Sequence, residues 1–420
     1  PWEIIFFVSS KLILISFFLS VYLFKFIYLT FLTYKQNNFI AKLNSEFCIK
    51  LISKYLRSNY KFFINNNSSL LLKNVQIETH NVNVYYNSLI VIVIEVGLIM
   101  AITSTLIIVE PIAAISVFIF LTGLALAFYF FTSKKLQNLG KLKQEVDGGI
   151  SKNIIEAFEG IKEIKILIRE NFVINSATKL YNSQAKIIST HQTIVQVPRY
   201  YLEFISALGV SLFVMILFIN GSNTTKIIST LALFVAATFR ILPSLNKIIY
   251  SFQNLKYYKH SFDLIYNEFT NQIIPETQND NILKFKEKIL LKNISYNYSN
   301  KHNVFTNLNF EINKGDTVGV IGDSGVGKSS LVNIIIGLLD PVRGEVKVDG
   351  ENIINCKKAW MKNIGYVSQD IFLFDQSILN NIAFGFDENH INFKKIHKIL
   401  ELVNLKEYVE SLPEKINTLV

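Results

Sequence analysis

The chain has 420 residues, half of them apolar, 18% of them charged, and a formal net charge of +10. Soluble globular domains carry about 25% charged residues, so the deficit points to a bilayer. A mean hydropathy of +0.32 excludes disorder, collagen and a purely basic nucleic-acid arm. The two cysteines, Cys48 and Cys356, lie far apart and match no metal spacing, which excludes a disulfide framework. In such a chain the basic excess faces anionic lipid on the cytoplasmic side rather than nucleic acid.

A helix needs about 20 apolar residues to cross the hydrocarbon. Five segments meet that standard: 12–32, 89–109, 112–131, 202–219 and 227–249. The apolar run after Pro1 is too long for a secretory signal and lacks a small-residue cleavage site, so the chain is expected to begin inside or just before a membrane helix. Only Glu110 and Pro111 separate the second and third spans, which predicts a tight hairpin with Pro111 in the first turn of its helix. A short polar stretch, 220–226, joins the last two. The connections 35–87 and 133–199 are long and rich in Lys and Arg, which puts both in the cytoplasm together with everything after Tyr250. Neither reads as a loop: 35–87 has no Pro or Gly, and helical arms reaching on the order of 50 Å past the bilayer are expected instead. In the second arm Ile154, Phe158, Ile161, Ile164 and Ile168 recur at helical spacing and predict an apolar stripe that needs a protein partner.

Beyond the polar, Pro-containing stretch 271–282, read as a linker, Gly becomes frequent and the apolar runs shorten. Residues 288–298 and 304–313 read as strands, followed by a turn at 314–316 and a further strand at 317–321. Gly322, Asp323, Ser324, Gly325, Val326, Gly327, Lys328 and Ser329 then match G-x-x-x-x-G-K-S, and the apolar segment from Ser330 reads as a helix. Glycines let the backbone curl so that successive N–H groups point at phosphate oxygens, and the helix start adds partial positive charge. Lys328 supplies a mobile full charge, and Ser329 offers a hydroxyl to Mg²⁺.

With that P-loop placed behind apolar helices, the chain resembles an ABC (ATP-binding cassette) exporter half-transporter. The resemblance implies an α-helical polytopic membrane domain with long cytoplasmic extensions (1–270), followed by an α/β P-loop NTPase domain (283–420). It also implies a set of roles. Tyr298 would stack on adenine; 322–330 would bind ATP; Gln369, at the Q-loop position, would reach Mg²⁺ together with Ser329. Asp340, Pro341, Gly344, Glu345, Asp349 and Gly350 match the family's β-turn region, 377–385 the entry to its helical subdomain, and 156–167 its second coupling segment. The first membrane helix is expected before Pro1. The signature, the Walker B strand with its catalytic Glu, and the switch His are expected beyond Val420, so no hydrolytic base is assigned. The family works as a homo- or heterodimer.

Around Trp360, and at 158–165, 196–200 and 239–244, the motifs look most like the subgroup that flips lipid-linked oligosaccharides, which would place the chain in a bacterial inner membrane with a glycolipid substrate. Arg240 lies within a span, where a charge costs roughly 2.5–3.5 kcal/mol. It is read as a contact to the lipid's phosphates, as the partner of an acidic residue such as Glu203 or Glu95, or as a residue near the interface. Two rival functions stay open: an exporter of drugs, peptides or ordinary lipids, and a membrane-tethered nucleotide sensor that transports nothing.

Overall fold

A computed structural model describes residues 2–109, 111–219, 224–271, 283–298, 303–369 and 371–420. The chain divides into two compact units, Pro1–Glu276 and Thr277–Val420. Apart from Asn271, the expected linker lies outside the described residues.

The described part of the first unit is helical. Its long helices are α1 (Trp2–Leu56), α4 (Thr79–Val109), α5 (Pro111–Glu159), α7 (Glu170–Ile219) and α8 (Thr224–Tyr257); shorter ones are α2 (Tyr60–Asn65), α3 (Ser68–Lys73), α6 (Ile161–Ile166) and α9 (Lys259–Thr270). Each expected span runs on without a break into its polar arm, through Gly140 in α5 and Pro198 in α7. The reversals come where side chains can replace the ladder. Asn59 Oδ1 accepts from Phe62 N at 3.0 Å, and Asn67 Oδ1 accepts from Ser69 N at 2.9 Å, each starting a short helix. Three described stretches, Ile15–Leu56, Ser68–Thr105 and Phe118–Glu159, are long and apolar enough to cross a bilayer. The segments 202–219 and 227–249 lie on α7 and α8, where many side chains fall outside the described residues.

The apolar stripe of the second arm is not one helical face. Gly160 ends α5, so Ile154 and Phe158 lie on α5, Ile161 and Ile164 on α6, and Ile168 in the following turn at φ 53°. A glycine weakens the helix, and the chain has to reverse here. The result is a tip with Phe158, Ile166, Leu167 and Ile168 exposed.

Helices α4, α5, α7 and α8 share a core of Ile99, Ala125, Leu202, Ile241, Leu245 and Ile249. Two local devices let them pack. At Gly140 of α5 the backbone meets the end of α8 so closely that a Cβ would overlap the Tyr257 carbonyl. At Pro198 of α7 the missing N–H frees the carbonyl of Ile194, and the buried Gln253 of α8 donates its Nε2 to that oxygen in a long hydrogen bond of 3.4 Å. In the arms, polar pairs stand beside an apolar core of Leu51, Tyr55, Val82 and Ile265. Lys73 meets the buried Glu78 at 2.9 Å across a single π-helical turn (Asn74–Glu78), and Asp147 accepts from Lys143 at 2.8 Å and from Gln184 at 2.7 Å.

The second unit holds an antiparallel sheet of order β2-β1-β3-β4, from β1 (Lys288–Asn297), β2 (Asn303–Asn313), β3 (Arg343–Val348) and β4 (Glu351–Asn352). Its helices are α10 (Lys328–Ile335), α11 (Lys357–Met361), α12 (Ile378–Ile382), α13 (Phe393–Leu402) and α14 (Lys406–Ser411). Leu291, Ile294, Tyr296, Ile334, Leu339, Val346 and Trp360 form the core between sheet and α10. Ser377 caps α12 through Asn380 N at 3.1 Å, and Leu379, Ile396, Leu400 and Val409 form a separate helical core.

The expected strand 317–321 is not formed. Its residues pair with no strand among the described residues, and Ile321 is 96% exposed. A strand exists only through a ladder partner, so β-rich composition alone does not make one.

Asp349, in the β3–β4 turn, ties the start of β1 in place by accepting from the N–H groups of Lys286, Glu287 and Lys288 at 2.6–2.8 Å. Desolvation works to raise its pKa, but the three backbone donors outweigh it and hold the carboxyl below its ordinary value. A depressed folded pKa contributes stability above the unfolded pKa, and that contribution is lost as pH falls through the folded value. Asp349→Ala is therefore expected to lower the melting temperature of this unit at pH 7. The gap from the parent should close on titration below about pH 4; a gap independent of pH would contradict it.

Candidate functional site

The P-loop takes its shape from two glycines. Gly325 and Gly327 adopt φ of 81° and 106°, a region that L side chains rarely enter. At Gly327 space is closed as well: a Cβ would run into Val304 and Phe305 of β2, which form the floor under the loop. Nothing lies within 4 Å of where a Gly325 side chain would begin, so the other side of the loop is open.

The first bond of α10 runs from Leu331 N to Gly327 O at 2.9 Å, with no capping side chain. The amides of Lys328, Ser329 and Ser330 therefore stand ahead of the ladder, and with the helix dipole they make an anion-receptive end. Lys328 Nζ donates to the carbonyls of Gly322 and Asp323 at 2.7 Å each, which holds the ammonium over the loop. Ser329 is exposed beside it, as are Asp323, Ser324 and Val326 along the rim. Ser330 is buried, and its Oγ lies 2.7 Å from the Tyr298 hydroxyl. Tyr298 is 42% exposed and stands edge-on to Tyr296 at 5.1 Å.

The far end of α10 is anchored too. Leu338 N reaches Asn333 O and Gly337 N reaches Ile334 O, with Gly337 at φ 83°, which closes the helix in a Schellman turn. The buried Trp360 donates its indole N–H to Ile335 O at 2.8 Å. A helix fixed at both ends keeps its first amides where an anion meets them.

The structure thus brings 322–330 and Tyr298 together. Gln369 is exposed on an irregular segment, and no hydrogen bond joins it to the loop among the described residues. The side chain of Arg240 lies outside the described residues. Both of its candidate partners are engaged elsewhere: Glu95 accepts from Lys247 at 2.6 Å, and Glu203 from Arg199 at 3.0 Å. The Lys247–Glu95 pair, and the support given by Val304, Phe305 and Trp360, carry no local sequence signal. Each pairs residues far apart in the chain.

The residues present suit a polyphosphate with a divalent ion. Among the described residues no cluster of His, Cys, Asp and Glu could hold a metal by itself. A Mg²⁺ here would take a protein hydroxyl and phosphate oxygens, the usual donor set for that ion.

Residues 305–419 match the ABC transporter family model. The chain is 28% identical over 296 residues to a lacticin-481/lactococcin-DR transport/processing ATP-binding protein of Lactococcus lactis, covering 69% of this chain and 40% of that protein. It is 26% identical over 297 residues to an ATP-dependent lipid A-core flippase of Saccharophagus degradans, covering 69% and 49%. The chain spans less than half the length of these two relatives. Among solved structures it resembles a bacterial Atm1-family ABC exporter with ATP bound, with TM-score 0.79 and 15% identity over 91% of this chain and 68% of that one. Residues 305–419 thus match the ABC transporter family, and the chain carries the fold of an ABC exporter.

Proposed function

We propose that the chain is one half of an ATP-driven exporter that flips a lipid-linked oligosaccharide or related glycolipid across a bacterial inner membrane. The observation that carries the nucleotide part is the P-loop itself: curled glycines, a helix start free of caps, and an ammonium held over it. In this reading 322–330 grip the phosphates of ATP. Lys328 leaves its two carbonyls for phosphate oxygens, Ser329 and Gln369 supply oxygens to Mg²⁺, and Tyr298 offers its ring to adenine. ATP supplies a state-dependent binding energy, since a closed dimer holds it better than an open one. The exposed apolar tip at Phe158 and Ile166–Ile168 is the surface through which that motion passes to the membrane helices. A second half-transporter completes the unit.

Relatives named as lipid A-core flippases support a lipid substrate; with Glu95 and Glu203 already paired, Arg240 of α8 is assigned to the lipid phosphates. In the full-length protein, Arg240→Ala is expected to cut translocation of a fluorescent polyprenyl-diphosphate glycan in proteoliposomes at least about tenfold, the scale of one charge-assisted contact, with MgATP affinity unchanged. Unchanged translocation removes the lipid-phosphate role. The transport/processing relative favours a peptide cargo as the second reading; ATPase activity stimulated by peptide but not by glycolipid would select it.

A further inference from the structure

Helices α5, α7 and α8 line an open cleft of about 930 Å³ that runs from the arms into the end of segment 227–249, where Asn246 and Lys247 lie. Its volume is at the upper end of the roughly 300–1,000 Å³ typical of small-molecule sites. The wall is amide and aromatic: Gln192 and Gln196 stand one turn apart on α7, opposite Asn246 and Tyr250 on α8, with His191 stacked on Tyr257 at 3.7 Å between centroids. The charged side chains of the cavity are spoken for. Lys143 pairs with Asp147 at 2.8 Å, Arg199 with Glu203 at 3.0 Å, and Lys247 with Glu95 at 2.6 Å. Burial first, and then the charge of Lys143, pull the His191 pKa down to about 4, so that ring is neutral at physiological pH. Gln192, Gln196 and Tyr250 are exposed to the cavity, and no hydrogen bond engages their side chains among the described residues.

A second, largely apolar pocket of about 540 Å³ opens between the same two helices, lined by Ala207, Phe239, Leu242 and Pro243, with Glu203 at its edge. The Arg199–Glu203 pair thus stands where a polar compartment gives way to an apolar one. A free anion would seek unpaired cations. Side-chain amides and aromatic faces with matched charges instead suit a neutral, hydroxyl-rich ligand: hydroxyls bond to amides, and the C–H faces of a ring lie on aromatics.

We propose that the α5–α7–α8 cavity is the docking site for the carbohydrate head group of a glycolipid, with the lipid chain entering the apolar pocket between α7 and α8. This rests on the export reading above and deepens it by assigning the glycan to named residues, apart from any role of Arg240.

The test uses the full-length protein in nanodiscs, with Cys48 and Cys356 replaced by serine and Gln192→Cys as reporter. Its maleimide labelling rate is measured with glucosyl-diacylglycerol, diacylglycerol, phosphatidylglycerol or free maltose. Glucosyl-diacylglycerol is expected to slow labelling about fivefold at four-fifths occupancy, with the other three inert, and Gln196→Leu or Tyr250→Ala should abolish the protection. Labelling that ignores the glycolipid overturns the proposal. So does equal slowing by phosphatidylglycerol, which would mean an anion site; by diacylglycerol, a tail site alone; or by maltose, a site for free sugar. MgATP affinity, read on the same samples, separates the two readings. Intact affinity without glycolipid protection sinks the glycan site alone, whereas lost affinity sinks nucleotide-driven export.

Discussion

Lys328→Ala is expected to weaken MgATP binding by about two to three orders of magnitude while leaving the domain folded. The estimate follows from the geometry of the loop. The ammonium is a full positive charge held over the loop by its own carbonyls, and each hydrogen bond it gives to an ionised phosphate is worth about 1.5–3 kcal/mol, with 1.4 kcal/mol per tenfold in affinity. Its present partners are two carbonyls of an exposed loop, so alanine leaves no buried group orphaned and the melting temperature should hardly move. Titration with a fluorescent ATP analogue in magnesium buffer measures the first effect, and calorimetry the second. Lys328→Arg should not rescue binding, because a planar guanidinium is bulkier than an ammonium and presents a fixed fork rather than a point charge. Equal affinity in parent and alanine variant would end the nucleotide assignment.

Gly140→Ala should be the most damaging conservative change in the first unit. A Cβ there overlaps the Tyr257 carbonyl, which is backbone and cannot rotate away, so α5 and α8 have to separate. Overpacking of this kind costs about 1–3 kcal/mol, beyond the roughly 1 kcal/mol that alanine recovers through helix propensity. Gly123→Ala, on the same helix with nothing within 4 Å of the new methyl, provides the opposite case and should be neutral or slightly stabilising. Thermal unfolding of both variants in detergent compares them directly. If the two changes had the same sign, the close approach of α5 and α8 would be wrong. Because Tyr257 carries His191 on its ring, Gly140→Ala should also disturb the wall of the cavity between α5, α7 and α8.

Features set by neighbours in sequence were legible before the structure. The P-loop is one: its glycines, its lysine and the start of α10 lie within a few residues of each other. The opening of α5 at Pro111 follows the same logic. What escaped depends on distance along the chain. The segment 317–321 has the composition of a strand, yet strand formation is decided by a partner and none stands beside it among the described residues. The stripe through Ile154 and Ile168 assumed an unbroken helix, and one glycine at 160 splits it into three pieces. Glu95 was visible as a charge within a span, but its partner Lys247 lies 152 positions away, and no periodicity links the two. For Gln369 only the motif speaks, since its side chain makes no bond to the loop.

The Pro198–Gln253 contact gears two helices together. The ladder of α7 lacks a single rung, and the donor that fills the gap rides on α8, so bending α7 at this joint drags on its neighbour and sliding α8 along its axis reopens the joint. Intrahelical rungs elsewhere in α7 survive any rigid movement of the surrounding bundle; this one does not. Residue 194 is therefore the place where a rotation of α8 becomes a change in the curvature of α7, with a buried amide as the tooth that transmits it.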